Sequence, residues 1–141
     1  MGEPVTSHKI INPESLVPAV GFSHALVAAP GRTVYLGGQA GIDAEGTVVG
    51  SSLTEQFDAA AANVVTGLVA AGARPEHLVS MQIFVTSADE YRGLLKEMGE
   101  IYQRHFGKHY PALALFEVTG LFDPDAKVEL LCVAVIPDDQ R

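Results

Sequence analysis

Glu129 is the residue whose type and setting most suggest chemistry, because it is an acid inside the otherwise apolar run 128–135. An unpaired charge in such a segment is costly, so the carboxylate needs either a partner or a function. The functional interpretation is a general base, or an acid that holds a water for attack. The structural interpretation is an acid that is paired across a subunit interface, with Lys127 or with an arginine. Perturbed acids occur in both settings.

His105 and His109 have a spacing of four, which on one helix face would suit a metal ion. Gly107 between them and Pro111 beyond them indicate that the helix ends there, so the two imidazoles would not share a face. No Cys or carboxylate lies nearby in the sequence. We therefore predict no metal site and interpret both as helix-end histidines, which the helix dipole favours. His24 is interpreted as a surface or rim residue.

Gly37 and Gly38 follow an apolar run, but the glycine spacing and the following helix of a phosphate-binding loop are absent. A close backbone approach at the end of a strand explains them better. The N–H of Gly38 would then face a ligand or a neighbouring subunit.

Composition limits the class of protein. The 141 residues, 48% hydrophobic, predict one domain over 1–141. The formal charge of −8 argues against a phosphate-binding surface, and therefore against nucleic acid as a partner. The N-terminal sequence lacks a signal-peptide pattern and no run reaches about 18 apolar residues, so we expect no membrane association. The single cysteine, Cys132, is predicted to be a small buried hydrophobe, which fits a reducing, cytoplasmic location.

The elements that must position these residues alternate between strand and helix patterns. Hydrophobic periodicity predicts a helix over about 52–71, with Ser52 as N-cap and Gly72 as the C-terminal stop. A second helix is predicted from Ser87 to about Phe106. Strands are predicted at 9–12, 24–29, 33–36 and 78–86, and the turn Pro30-Gly31 between the second and the third indicates hairpin organisation. Two more strands are predicted between 110 and 135, on either side of the turn 122–125.

The predicted layers leave one sheet face uncovered. Two helices can cover only one face of about six strands, yet the last strand is apolar on both: Val128, Leu130, Cys132 and Ala134 on one, and Leu131, Val133 and Val135 on the other. Strands that are apolar on both faces are normally buried on both. A large exposed apolar patch would be an interaction site, so we predict a homo-oligomer.

Four motifs occur in order along the chain: Gly21-Phe22-Ser23-His24-Ala25, Tyr35-Leu36-Gly37-Gly38-Gln39, Gln56 followed seven residues later by Asn63, and the segment 110–135, which begins Tyr-Pro-Ala. Together they resemble the RidA family of reactive-intermediate deaminases from about Asn12 to Val135. The resemblance implies an α+β, RidA/chorismate-mutase-like single domain. Its mixed sheet would have about six strands, with two helices on one face, and would assemble as a homotrimer around a barrel-like core.

The same resemblance implies a site in a cleft between subunits, and it favours the functional interpretation of Glu129, which matches a family glutamate. Gly38 and Gln39 also match. The positions at which the family carries arginine, tyrosine, serine and cysteine are occupied here by Leu113, Phe22, Gly37 and Leu115, respectively. An arginine fork binds a carboxylate in a way that no aliphatic side chain can reproduce. Arg32, Arg104 or Lys108 would have to supply the charge instead.

The function implied is hydrolytic deamination of a small imine or enamine, with Glu129 catalytic, no cofactor, and Phe22, Gly37, Gly38, Leu113 and Leu115 binding the substrate. One alternative is a non-catalytic small-molecule-binding or regulatory trimer, which Leu113, Phe22 and Leu115 would equally suit. Another is a protein-binding scaffold, for which the sequence offers only an acidic surface.

Overall fold

The computed structural model describes residues 5–140, so the first residues of the N-terminal segment considered above lie outside the described part. Strands and helices alternate along it. The strands are β1 Lys9–Ile11, β2 Ala25–Val27, β3 Gly31–Tyr35, β4 Gln39–Ala40, β5 Leu78–Val85, β6 Ala112–Glu117 and β7 Val128–Pro137. The helices are α1 Leu53–Ala70, α2 Ala88–Arg92 and α3 Leu95–Phe106.

The main sheet is mixed, which confirms the predicted α+β class. Its order is β3-β7-β5-β6, and the short β4 also pairs with β7. Strand β7 is antiparallel to β3, β4 and β5, whereas β5 and β6 are parallel. It has five strands rather than about six, because β1 and β2 form a separate antiparallel pair. The hairpin expected across Pro30-Gly31 does not form, because β2 pairs with β1 and β3 pairs with β7.

The two final strands are not neighbours, because β5 lies between them. The connection from β6 to β7 is fixed to the end of β5 by two backbone hydrogen bonds. Val118 N–H donates to the Val85 carbonyl at 2.8 Å, and Thr86 N–H donates to the Lys127 carbonyl at 3.1 Å. Strand β7, which carries Glu129, is thereby held in the middle of the sheet.

Helix α1 begins and ends where the sequence predicts. The Ser52 hydroxyl accepts from the Glu55 N–H, and the Glu55 carboxylate accepts from the Ser52 N–H, which completes a capping box. Gly72 follows the helix with φ +84°, the left-handed conformation expected of a glycine stop. No helix in the described residues is long and apolar enough to cross a membrane.

The second predicted helix is interrupted. Ser87 caps α2 as expected, by accepting from the Glu90 N–H at 3.1 Å. The helix then ends at Gly93, and Leu94 has φ −125° and ψ 23°, outside the helical region, before α3 begins. Glycine is a poor helix former, and Gly93 directly precedes the residue at which the helical conformation is lost. It allows α3 to direct Met98, Ile101 and Phe106 into the core.

Strand β7 shows the predicted two-sided apolar pattern. Val128, Leu130, Cys132 and Ala134 are buried on the helix side, within the main core cluster. On the other side, which we call the open face, Leu131 is 39% exposed, and Phe116 of β6 is 44% exposed. Burial raises the pKa of the Cys132 thiol to about 12, in agreement with an inert buried cysteine.

Candidate functional site

Glu129 lies near the start of β7, between β4 and β5. Its backbone pairs with Ala40 on one side and Phe84 on the other, and its side chain is half-buried on the open face. The carboxylate lies against Gly38. A Cβ atom on residue 38 would come within 3.1 Å of Glu129 Cδ and 3.4 Å of Cγ, and it would overlap one carboxylate oxygen. The absence of a side chain at Gly38 therefore makes room for this acid.

Glu129 has no hydrogen bond or ion pair among the described residues. Lys127, the partner considered for a structural role, has its Nζ 3.4 Å from Glu90 Oε2 instead. Glu129 and Lys127 therefore do not form an ion pair within one copy of the chain. The charge of Glu129 is free to act on a ligand, or to meet a residue of a second copy.

An aromatic pair lies beside Glu129 on the open face. Phe84 is directly opposite Glu129, and its ring stacks on Phe116 with centroids 5.6 Å apart and an interplanar angle of 23°. Sequence reasoning missed both rings. The alternation of β5 shows that Phe84 has the opposite orientation to Ile83 and Val85, but it does not identify the strand that places Glu129 beside it.

Leu113 and Leu115 lie on the other side of the sheet. Leu113 is paired with Met81 and Leu115 with Ile83, and both side chains pack against the buried core cluster. They border a cleft of about 390 Å³ between the sheet and the helices. Phe22 also borders it, so the structure brings together three of the six predicted site residues.

The chemistry of this cleft is apolar and aromatic. Its lining includes Tyr91, Met98, Tyr102 and Tyr110, and no Lys, Arg, Asp or Glu among the described residues. A second, shallower pocket of about 320 Å³ is also bordered by Phe22 and Leu113, with His24 at its rim as predicted.

The expected replacements for the missing arginine do not reach these pockets. Arg104 is ion-paired with Asp58 at 3.0 Å, and Arg32 is exposed on the edge strand β3. Lys108 borders a different groove, beside the N-terminal segment. Among residues 5–140, no lysine or arginine therefore borders either of the pockets that Leu113 lines.

The six predicted site residues fall into two groups. Glu129 and Gly38 are in contact, and Gly37 lies next to them with open space around it, because a Cβ there would meet nothing within 4 Å. Phe22, Leu113 and Leu115 form the second group, on the helix side of the sheet. The resemblance implies one site in a cleft between subunits, and within one copy of the chain the six residues form two separate groups.

His105 and His109 contact two different parts of the protein. His105, in the last turn of α3, lies with Nε2 2.6 Å from Asp58 Oδ1, and this hydrogen bond lowers the pKa of Asp58. His109 lies beyond the helix and is buried, with Nε2 2.7 Å from the Leu78 carbonyl oxygen. Burial lowers its pKa. The described residues contain no group of three or more His, Cys, Asp or Glu that could hold a metal ion.

Comparison with known proteins identifies the family. Residues 13–136 match the family model described as endoribonuclease L-PSP. The chain is 31% identical over 119 residues to the RutC family protein UK114 of Drosophila melanogaster. This match covers 84% of this chain and 81% of that protein. It is 27% identical over 129 residues to the 2-iminobutanoate/2-iminopropanoate deaminase of Rattus norvegicus, covering 90% and 89% of the two chains.

Solved structures agree with this assignment. The crystal structure of YyfB from Yersinia pestis, described as a protein of unknown function of the conserved Rid protein family, superimposes with a TM-score of 0.82 at 30% identity. The match covers 92% of this chain and 99% of that one. The chain therefore belongs to the endoribonuclease L-PSP family, the RidA family that its motifs resemble.

Proposed function

We propose that this protein hydrolyses a small reactive imine or enamine, with Glu129 as the catalytic residue. The observation that carries the proposal is the Glu129 carboxylate, which lies beside Gly38 on the open face with no intramolecular partner among the described residues. The rat relative, named for the deamination of 2-iminobutanoate and 2-iminopropanoate, supports this reaction class.

The reaction needs one group that moves a proton twice. Glu129 removes a proton from water as the water oxygen adds to the carbon of the protonated imine. That proton then passes to the nitrogen of the carbinolamine, ammonia leaves as the C–N bond breaks, and the hydroxyl proton is released as the C=O bond forms. An enamine enters the same sequence after protonation on carbon. A positioned carboxylate typically accelerates such steps by about 10²–10⁴-fold.

The two groups of site residues suggest how the site is assembled. We propose a homotrimer, as the family resemblance implies, in which Glu129 of one copy faces the Phe22–Leu113 region of another. The open face carries exposed apolar side chains, among them Tyr35, Phe116 and Leu131, that such an assembly would cover. The substrate cleft would then lie between copies.

The alternative is a non-catalytic small-molecule-binding or regulatory trimer. The observation that favours it is that no Lys or Arg among the described residues lines the pockets around Leu113, where an imino acid carboxylate would need a counter-charge. Under this alternative the cleft binds a ligand without turnover, and Glu129→Gln leaves ligand binding intact.

A ribonuclease activity, which the description of the family model suggests, is not part of the proposal. The net charge is −8, and Arg74, Arg92, Arg104 and Lys127 are each paired with an acid. A surface that binds a phosphate backbone requires clustered, available cations.

The test is hydrolysis of imines that an amino-acid oxidase generates in situ from aliphatic, aromatic and charged amino acids, followed by ammonia release and by trapping of the remaining imine. We expect acceleration by the wild-type protein and a loss of about 100-fold or more in Glu129→Gln. Glu100→Gln, an exposed acid on α3, is the matched control and should retain the rate. No acceleration with any imine, or an equal rate in Glu129→Gln, would refute the proposal.

A further inference from the structure

We infer that the cleft between the sheet and helices α2 and α3 binds an uncharged aromatic ligand with one hydrogen-bonding group, which Tyr91 recognises. This inference names the ligand class of the proposed site and, for the conversion of that ligand, rests on the proposed function. Within one copy, binding does not depend on that copy's own Glu129, which lies on the opposite face of the sheet.

Charge is the first argument. Within one copy, the described residues that line the cleft include no Lys, Arg, Asp or Glu, so a charged ligand would lose its hydration without gaining a counter-ion from them. The lining tyrosines do not supply charge either. Burial raises the pKa of both Tyr91 and Tyr102, which keeps these phenols neutral. An uncharged ligand fits this environment best.

The shape and chemistry of the lining favour a ring. Tyr102 and Tyr110 stack with centroids 5.1 Å apart and an interplanar angle of 11°. Phe22 and the polarisable Met98 border the same space. Aromatic and thioether side chains make favourable contacts with planar rings. The volume of about 390 Å³ lies within the range of about 300–1,000 Å³ typical of small-molecule pockets.

Of the three tyrosine hydroxyls in the described lining, one lacks a protein partner. The Tyr102 hydroxyl donates to the His109 carbonyl at 2.6 Å, and the Tyr110 hydroxyl accepts from Gln103 Nε2 at 2.7 Å. The Tyr91 hydroxyl has no hydrogen bond among the described residues. In the described part, every fully buried side-chain nitrogen or oxygen has a hydrogen-bond partner. Since the Tyr91 hydroxyl has none, it is not fully buried. A ligand that enters the cleft can therefore meet it.

Gly99, which is exposed, leaves room at the α3 side of the cleft. It lies in the interior of α3 and borders the cleft, and a Cβ there would meet nothing within 4 Å. A glycine inside a helix lowers helix stability relative to alanine. Neither a positive φ nor a close contact requires glycine at position 99. The space beside it is therefore available to a ligand.

The experiment compares four probes of similar size with the full-length protein: phenol, toluene, benzoate and benzylammonium. Affinities are measured by ligand-observed NMR titration. We expect phenol to bind best, toluene next, and both ions at least about tenfold more weakly than phenol. Tyr91→Phe should reduce phenol affinity to that of toluene and leave toluene unchanged.

Gly99→Leu should fill the cleft and weaken phenol and toluene by about tenfold or more. Ala62→Leu, which adds the same side chain on the exposed surface of α1, is the matched control and should bind normally. Thermal denaturation establishes that each variant is folded. Benzoate that binds as well as phenol, or unchanged phenol binding in Gly99→Leu, would overturn the inference.

The outcome can be separated from that of the proposed function. If phenol binds as expected but no imine is hydrolysed, the hydrolase proposal fails and the ligand class stands. If imines are hydrolysed in a Glu129-dependent way but the uncharged probes do not bind, the ligand class is wrong and the hydrolase proposal stands.

Discussion

The carboxylate of Glu129 occupies the space that a side chain on Gly38 would need. This contact joins the middle strand of the sheet to the segment just before β4. Gly38 does not have a positive φ, so its lack of a side chain, rather than its backbone freedom, is what the site uses. Gly37 differs, because the space around it is open.

Gly38→Ala should therefore displace the Glu129 carboxylate without unfolding the protein. The new methyl group would meet the end of a half-exposed, flexible side chain, so we expect a loss of stability below about 1.5 kcal/mol. Imine hydrolysis should fall by about tenfold or more, because small displacements of catalytic groups are costly. The measurements are steady-state ammonia release and thermal denaturation.

Gly37→Ala is the matched control for this substitution. The added methyl group meets nothing within 4 Å, and activity should remain within about twofold of wild type. Equal rates in the two variants would show that the contact between residues 38 and 129 has no role in turnover.

Much of the fold could be predicted from local pattern. The Ser52 capping box, the Gly72 stop and the burial of alternate residues of β7 each depend on neighbours in sequence. The break at Gly93 was not foreseen, because the periodicity continues across it. The pairing of β3 with β7 is a long-range choice that no local pattern contains.

In the candidate site, too, local features could be predicted from sequence and long-range ones could not. Glu129 could be selected from sequence, because an acid in an apolar strand is locally conspicuous. The position of Leu113 on the helix side could not be predicted from sequence. It depends on the register between β5 and β6, which pairs Leu113 with Met81. The resemblance supplied the residues of a site, and the register shows that one chain divides them between two faces.

Gln56 should be a major contributor to stability. Its buried amide donates to the carbonyls of Gly50 and Asp125, at 3.3 and 3.1 Å, and accepts from the Lys127 N–H at 2.7 Å. Gln56→Leu keeps the volume but leaves these backbone groups without a partner. We expect the free energy of unfolding to fall by about 2–4 kcal/mol, measured by urea denaturation.

Thr66→Ala serves as the comparison on the same helix. Its hydroxyl donates to the Ala62 carbonyl at an exposed position, so its removal should change stability by no more than about 0.5 kcal/mol. If Gln56→Leu lowers the free energy of unfolding by no more than Thr66→Ala does, water replaces the three hydrogen bonds of Gln56 with little loss of stability.

His109 should make stability depend on pH. Burial lowers its pKa below the ordinary value of 6.5, while the nearby His8 and His77 lower it further, and the Leu78 carbonyl and Glu76 oppose the shift. Between the folded and unfolded pKa values the unfolded chain binds more protons, so stability rises with pH there. The contribution of His109 is fully present above about pH 6.5 and is lost as the pH falls towards the folded pKa.

The corresponding variant is His109→Gln, which can still donate to the Leu78 carbonyl. Urea denaturation at pH 7.5 and 5.5 should give a smaller difference in unfolding free energy than in wild type. Tyr102→Phe removes the hydroxyl bonded to the His109 carbonyl, and it should lower stability equally at both pH values because this phenol stays neutral. A wild-type pH difference that persists in His109→Gln would assign it to other groups.

Leu131 tests the proposed assembly. It lies on the open face, 39% exposed in the single chain, so aspartate there can be hydrated and should be tolerated by the monomer. Burying that charge between copies would be costly, and we expect Leu131→Asp to sediment as a monomer at micromolar concentration while the wild type sediments as a trimer. Val69→Asp, at a 63% exposed position on α1, should leave the trimer intact.

Because the proposed site needs Glu129 from one copy and the Phe22–Leu113 region from another, Leu131→Asp should also lose imine hydrolysis. A monomeric variant with full activity would show that one chain contains the whole site.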